Sequence, residues 1–120
     1  MSHLIDENVI NQMQADLGTK TCHMLINLFI DELTVGLADL EAAFKSDDKQ
    51  KVEDITHILK NSCALYGAIA VASLAREIND RLCMLNGTFV DTDNLLLDLI
   101  RITLELFNKK YNLVRKKHVK

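Results

Sequence analysis

Apolar residues recur along this chain at spacings of three and four positions, and polar or glycine-containing breaks divide it into five segments. The first segment covers residues 6–17 and ends at Gly18. The second begins near Thr19 or Thr21, and either threonine could cap a helix. Its apolar positions have the spacing of an amphipathic helix and are Leu25, Leu28, Phe29, Leu33, Leu37, Leu40 and Phe44. The pattern therefore predicts a short lead-in helix and a long helix after it.

Three more helices are predicted, each with an apolar stripe on one side. They run from about Asp48 to Tyr66, from about Ala68 to Asn86, and from Asp91 or Thr92 toward the C-terminus. In the third helix the stripe is Val52, Ile55, Leu59, Cys63 and Tyr66. In the fourth it is Val71, Leu74, Ala75, Ile78, Leu82 and Leu85. The fifth has a wider band that could touch two neighbours, namely Leu95, Leu96, Leu99, Ile100, Ile102, Leu106, Phe107, Tyr111 and Val114.

Short connections between these long helices indicate antiparallel neighbours. We therefore expect an all-α fold, an antiparallel up-down four-helix bundle with a short N-terminal cap helix. Composition agrees, because the chain has no proline and only four glycines, the two residues that are least favourable in helices. A length of 120 residues suits one domain. Residues 1–120 are expected to form a single domain, with the bundle core at about 19–115.

Cysteine usage and the N-terminus indicate the compartment. The three cysteines, Cys22, Cys63 and Cys83, are odd in number and form no CxxC pair. This pattern argues against a disulfide framework or a zinc finger and favours a reducing environment. The N-terminus lacks the basic start and apolar run of a secretory signal, and no continuous apolar stretch reaches the ~18 residues of a membrane span. We expect a cytoplasmic protein.

Charge is unevenly distributed along the chain. The net charge is −3, yet residues 109–120 contain six basic residues and no acidic one. Cations at the end of a helix interact favourably with the negative pole of its macrodipole. Aromatic interleaving and a nucleic-acid recognition motif are both missing. We therefore interpret the cluster as a helix end and expect neither a nucleic-acid nor a membrane partner.

His57 is the residue of the third helix with the greatest chemical interest. At about 100° per residue it points roughly 170° away from the mean direction of that helix's apolar stripe. An exposed histidine in a helix is by itself an ordinary surface residue, but the neighbours of His57 favour a functional role. Lys60, three residues on, can offer a cation to an anion carried by the imidazole. Asn61 lies one turn above His57, and Ala64 leaves room for an approaching partner.

The stretch around this histidine resembles a known motif. Residues 57–68 read His-Ile-Leu-Lys-Asn-Ser-Cys-Ala-Leu-Tyr-Gly-Ala. They are similar to the motif of bacterial histidine-containing phosphotransfer (HPt) domains, His-x-Leu-Lys-Gly-Ser-Ser with Gly-Ala three residues later, on a bundle helix. The match covers His57, Leu59, Lys60, Ser62, Gly67 and Ala68. The chain departs from the motif at Asn61, where glycine is usual, and at Cys63, where serine is common. As a stand-alone domain with a lead-in helix, it looks like the LuxU type of quorum-sensing phosphorelay carrier.

The resemblance implies a phosphorelay intermediate of a two-component system. His57 would accept a phosphoryl group from a receiver-domain aspartate and pass it to a response regulator, and Lys60 would stabilise the phosphate. The partners would be the receiver domains of a hybrid sensor kinase and of a response regulator. These partners would dock over Asn61 and Ala64 and bring their own Mg²⁺, so the carrier itself would need no cofactor and no metal. With no P-loop and no glycine-rich lid, we expect a stoichiometric carrier without ATP-dependent kinase activity, and a monomer.

Two other functions compete with this interpretation. A metal-binding bundle would use the i, i+3 pair Asp54 and His57, with Glu53 one turn from the histidine. Di-metal bundles, however, direct two such pairs inward, whereas this single pair is expected to face outward. A pseudo-HPt docking protein would bind receivers or kinases without phosphotransfer, and the presence of both His57 and Lys60 argues against it.

The remaining residues of the motif have structural explanations. We expect Leu59, Ser62 and Cys63 to pack in the core, and Gly67 to terminate the third helix. His3, His23 and His118 lie outside any motif and are assigned no role.

Overall fold

Five α-helices and one 3₁₀ turn make up the described part of the chain, residues 4–84 and 87–111, in a computed structural model. In chain order they are α1 (Glu7–Leu17), α2 (Thr19–Lys45), α3 (Lys49–Leu65), α4 (Ile69–Cys83), the 3₁₀ turn Asp91–Asn94 and α5 (Leu95–Tyr111). No strand occurs within these residues. The prediction of an all-α fold is confirmed.

Helices α2 to α5 surround one core. α3 packs against α4 and α2, α5 packs against α2 and α4, and α1 packs against α2. This arrangement is consistent with the expected four-helix bundle and its N-terminal cap helix. The core is mainly aliphatic, with Phe29 and Phe107 as its largest fully buried side chains. Their rings lie 5.5 Å apart in an edge-to-face arrangement, and the Phe29 ring also stacks on Tyr66 at 4.6 Å.

Aspartates cap two of the helices. The Asp6 side chain accepts a hydrogen bond from the Asn8 backbone N–H at 3.0 Å, and Asp48 accepts one from Lys51 at 3.1 Å. Each bond satisfies one of the N–H groups that the first turn of a helix leaves free. The prediction that Thr19 or Thr21 caps α2 is wrong. Gly18 precedes that helix with φ 90°, and no side chain caps it.

Gly67 joins the motif helix to the N-terminal helix. It follows α3 with φ 80°, a left-handed conformation that glycine adopts without strain. A β-carbon at this position would lie 2.8 Å from the Asp6 carbonyl oxygen and 3.2 Å from Val9 Cβ. The Gly67 carbonyl also accepts a hydrogen bond from the Asp6 N–H at 2.7 Å. Gly67 is therefore both the expected helix terminator and a close contact with the residues that begin α1.

Several residues predicted to face inward do not. Leu28 is 58% exposed, because α2 carries apolar residues on two opposite sides and only one of them faces the core. In α5, Leu95, Ile102 and Leu106 are exposed, so its buried band is narrower than expected. Helix α4 ends at Cys83, before the predicted Asn86. The predictions for Leu85, Asn86, Val114 and the basic residues beyond Tyr111 lie outside the described residues.

Helix α2 is also the described helix with the most membrane-like composition. Its length and a mean hydropathy of 1.2 over 18 residues would allow it to cross a membrane, which the sequence did not lead us to expect. One such helix is weak evidence for a span, since a core helix of a bundle meets the same test. Only 28% of that apolar window is buried within the fold.

Candidate functional site

His57 stands near the middle of α3, on the side that faces away from the core. Its side chain is exposed, as expected. The opposite side of the helix is fixed by Val52, Leu59 and Cys63, each 2% exposed or less. Because this stripe anchors α3 against α2 and α4, the rotation of the helix directs the imidazole to solvent.

Asn61 and Ala64 lie on the same outer side of α3, and both are exposed. The Asn61 side-chain amide donates a hydrogen bond to the His57 carbonyl at 3.2 Å. The amide is thus turned back along its own helix instead of extending over the imidazole. At both positions, therefore, the side chain extends little above the surface of the helix beside His57. The role of these residues in docking remains a prediction.

Lys60 is half-buried between α3 and α4. Its ammonium donates to the Asn79 side-chain oxygen of α4 at 3.1 Å. An ammonium has three donors, so this bond leaves donors for a further acceptor. The Asn79 contact holds the lysine stem against α4 one helical turn from His57.

Asn79 is a residue of the site that the sequence interpretation missed. It is 4% exposed, and its amide nitrogen donates to the Glu53 carbonyl at 2.9 Å and to the Thr56 hydroxyl at 3.2 Å. Thr56 is also fully buried and donates to the Val52 carbonyl at 2.8 Å. These bonds satisfy the buried polar groups and fix the Asn79 oxygen where it receives Lys60.

Spacing could have identified both members of this network. Thr56 comes four residues after Val52 in the apolar stripe of α3. Asn79 likewise comes four residues after Ala75 and three before Leu82 in the stripe of α4. Polar residues at stripe spacing on two neighbouring helices indicate a buried pair.

A shallow depression adjoins the imidazole. Its lining residues are Glu53, Asp54, His57, Ile58, Asn79 and Cys83. Within it the Cys83 thiol lies 3.1 Å from a Glu53 carboxylate oxygen, and this hydrogen bond raises the pKa of Cys83. Across residues 4–84 and 87–111, no group of three or more histidine, cysteine, aspartate or glutamate side chains could hold a metal ion.

The other motif residues connect α3 to α2 and the core. Leu59 and Cys63 are buried, as expected, and burial raises the pKa of Cys63 to about 12. Ser62 differs from the packing role expected for it, because its hydroxyl donates to a Glu32 carboxylate oxygen of α2 at 3.1 Å. His23 lies against the Tyr111 ring, 5.9 Å between centroids. His3 and His118 lie outside the described residues.

The chemistry available here is nucleophilic. An unprotonated imidazole has a ring nitrogen with a free lone pair, and the depression beside His57 is open to solvent. Lys60, three residues after His57, places a positive charge on the same part of α3.

Comparison with known proteins agrees with this geometry. The family model of the Hpt domain matches residues 24–108. The chain is 33% identical over 78 residues to phosphorelay protein LuxU of Vibrio vulnificus, which covers 65% of this chain and 68% of the relative. It is 27% identical over 81 residues to phosphorelay protein LuxU of Vibrio cholerae, covering 68% and 72%.

A solved structure has the same fold. It is histidine-containing phosphotransfer protein B (HptB) from Pseudomonas aeruginosa, with a TM-score of 0.77, 16% sequence identity and coverage of 98% of both chains. At this sequence identity the structural similarity shows the fold of the chain alone. The chemistry has to be inferred from the residues of the site.

Proposed function

This chain belongs to the Hpt domain family, and on that premise we propose that His57 is its phosphorylated residue. Membership confirms the resemblance found in residues 57–68 and makes the chain a phosphorelay carrier of two-component signalling. The observation that carries the assignment to His57 is its position. It is an exposed imidazole in the middle of a bundle helix, directly opposite the buried stripe, with an ammonium one turn away.

The reaction is a transfer between two side chains. A ring nitrogen of His57 attacks the phosphorus of an aspartyl phosphate, the bond from phosphorus to the aspartate oxygen breaks, and the carboxylate leaves. In the second step the aspartate of another receiver attacks the phosphohistidine and releases the imidazole. Phosphoryl transfer has a loose transition state, so positioning and charge neutralisation supply most of the catalysis.

Lys60 supplies the charge on the carrier's side of this transfer. Its remaining ammonium donors form charge-assisted hydrogen bonds to the phosphoryl oxygens, which are stronger than neutral ones. Asn79 positions the lysine through the 3.1 Å bond to its ammonium. Asn79 is itself held by the Glu53 carbonyl and the Thr56 hydroxyl, so the lysine has a firm support.

The partners complete what the carrier lacks. We propose that receiver domains of a hybrid sensor kinase and of a response regulator dock over Asn61 and Ala64 and bring Mg²⁺ and the acidic pocket. In this proposal the carrier has no cofactor of its own, does not phosphorylate itself from ATP, and operates in the cytoplasm. The direction of net transfer is then decided by the two receivers.

The test is phosphoryl transfer from a labelled receiver. The protein is incubated with a receiver domain that carries radioactive phosphate on its aspartate. We expect acid-labile, alkali-stable label on this chain, absent in His57→Gln and unchanged in the matched control His23→Gln. Label that persists in His57→Gln contradicts the site. Receiver binding without any label indicates the docking protein instead.

A further inference from the structure

A carboxylate and an ammonium flank His57 on the same side of α3. Glu53 precedes the histidine by four residues and Lys60 follows it by three. At about 100° per residue, the two are displaced from His57 in the same direction, by about 40° and about 60°. That direction is toward α4, because the Cys83 thiol of α4 donates to a Glu53 carboxylate oxygen at 3.1 Å. The Lys60 ammonium donates to Asn79 of the same helix.

Two hydrogen bonds hold residue 53 against α4. Besides the thiol contact, the Glu53 backbone carbonyl accepts a hydrogen bond from the Asn79 amide at 2.9 Å. The bond to the carboxylate raises the pKa of the Cys83 thiol, so the thiol stays protonated near neutral pH and keeps donating. The Glu53 carboxylate is therefore restrained at the depression that His57 also lines.

Helix geometry directs the imidazole toward the turn of Glu53. Side chains of an α-helix point back toward its N-terminus, so His57 covers the turn that precedes it. The depression that the two residues share lies on this side of the imidazole. A phosphoryl group carries more than one negative charge near neutral pH. On His57 it would face a restrained carboxylate on one side and the Lys60 ammonium on the other.

We propose that Glu53 destabilises the phosphoryl group on His57 and thereby sets how much phosphate the carrier holds. This inference rests on the proposed role of His57. Repulsion raises the free energy of the phosphorylated carrier relative to the aspartyl phosphate of a receiver. The equilibrium between two receivers does not depend on the carrier, but the phosphorylated fraction of the carrier does. Glu53 therefore favours passing the phosphoryl group on over storing it.

The other carboxylates near His57 are placed differently. Asp54 precedes His57 by three residues and is displaced by about 60° in the opposite direction, away from α4. It accepts a hydrogen bond from Gln50 of its own helix at 3.0 Å. Asp80 belongs to α4 but is not one of the residues that line the depression. Asp54 is therefore the matched control for the loss of a carboxylate one turn before the histidine.

The experiment measures the equilibrium constant of transfer between one labelled receiver and this chain. Label on each protein is counted when its distribution no longer changes, at concentrations at which the two proteins are mostly unbound. The constant then depends on the separate proteins alone, so a docking defect changes the rate and leaves the constant unchanged. Glu53→Gln should shift the constant toward the carrier about threefold, the size of an exposed charge interaction. Asp54→Asn should shift it by less than about 1.5-fold.

Variants of Cys83 test the restraint on the carboxylate. In Cys83→Ala the phosphoryl group is free to repel the Glu53 carboxylate into solvent, so the constant should shift in the same direction as in Glu53→Gln, but less. Cys83→Ser keeps a donor and should behave as the parent chain does. In the Glu53→Gln background, Cys83→Ala should have no further effect on the constant.

Salt gives a readout that a purely structural role of Glu53 would not change. At about 1 M salt the Debye length falls to about 3 Å, so charges one helical turn apart are largely screened. The difference in the equilibrium constant between the parent chain and Glu53→Gln should then disappear.

Several results would overturn the inference. One is an equilibrium constant that Glu53→Gln leaves unchanged or shifts toward the receiver. Another is an equal shift in Asp54→Asn, which would assign the effect to net charge. A third is a Cys83→Ala variant identical to the parent chain, which would remove the restraint. Absence of label on the parent chain would overturn the proposed function together with this inference, whereas normal labelling with an unchanged constant would overturn the inference alone.

Discussion

Helices α2 and α3 are neighbours that differ in what they present to solvent. On α3 the apolar residues lie mainly on the side that faces the core, and the outer side carries His57 and Asn61. On α2 both sides are apolar, so that the adjacent residues Leu28 and Phe29 are 58% and 1% exposed. The outer side of α3 can therefore carry reactive residues without any loss of core packing. The outer side of α2 keeps Met24, Leu28 and Val35 exposed.

This comparison makes separable predictions for the two sides of α3. Substitutions on the outer side should change phosphoryl transfer and leave stability alone, and substitutions on the inner side should do the reverse. The predictions below are arranged from the largest expected effect on transfer to the smallest, except that the inner-side variant Leu59→Ala follows His57→Gln for direct comparison.

The largest effect is expected for His57→Gln. Phosphoryl acceptance should be lost completely, because glutamine offers no nucleophilic nitrogen. The free energy of unfolding should change by less than about 0.5 kcal/mol, as for other exposed positions. Labelling from a phosphorylated receiver and urea unfolding are measured on one preparation.

Leu59→Ala is the inner-side counterpart, two residues along the same helix. Leu59 is 2% exposed, so its truncation leaves a cavity and should lower the free energy of unfolding by about 3 kcal/mol. The fraction that stays folded should still accept phosphate at His57. Equal stability loss in His57→Gln and Leu59→Ala would remove the distinction between the two sides.

Ala64→Glu should reduce transfer by on the order of a hundredfold, because misplacement of reacting groups by about 1 Å has an effect of that size. The added carboxylate brings bulk and repels the acidic pocket of a receiver. Ala64 is exposed, so thermal unfolding should be unaffected. Normal folding with normal transfer would mean that partners dock elsewhere on the molecule.

Lys60→Ala should slow transfer about tenfold, or shorten the lifetime of the phosphohistidine by a similar factor, without removing the site. This size follows from the loss of a charge-assisted hydrogen bond worth about 1.5 kcal/mol. Rates are measured in both directions with purified receivers. Unchanged rates in both directions would leave Lys60 as a surface cation held by Asn79.

Asn79→Ala should slow transfer only a few-fold, since Lys60 keeps its charge and loses its support. The free energy of unfolding should fall by about 2 kcal/mol, because the Thr56 hydroxyl and the Glu53 carbonyl lose a buried partner. Positioning is distinguished from plain destabilisation by a double-mutant cycle. In the Lys60→Ala background, Asn79→Ala should change stability and have no further effect on transfer.

Much of this architecture could be predicted from the sequence, and the misses have physical causes. The α3 stripe and the exposure of His57 followed from a single apolar periodicity. Leu28 was placed inward wrongly because two apolar periodicities coexist on α2, and spacing alone does not say which one faces the core. The stripe spacing of Asn79 signals its burial on α4, but its bonds to Lys60 and Thr56 depend on packing between α3 and α4, which no single-helix pattern contains.

Gly67 shows a similar limit of prediction from the sequence. A glycine after a helix signals termination, and α3 does end there. Its second role, as the position against which Asp6 and Val9 pack, depends on where α1 returns to the bundle. Contacts between segments about 60 residues apart leave no periodic trace in the sequence.

The smallest effect is expected for Asn61→Gly, which restores the residue that HPt motifs usually have. The Asn61 amide donates to the His57 carbonyl, so the side chain already lies along α3 and out of a partner's path. Transfer should therefore change by less than about twofold, far less than the ~1 Å misplacement of reacting groups would produce. Glycine in a helix interior is less favourable than asparagine by only about 0.3 kcal/mol, so stability should fall slightly. A rate increase of about tenfold would instead show that Asn61 obstructs docking, and the outer side of α3 would then be less open than the position of its amide indicates.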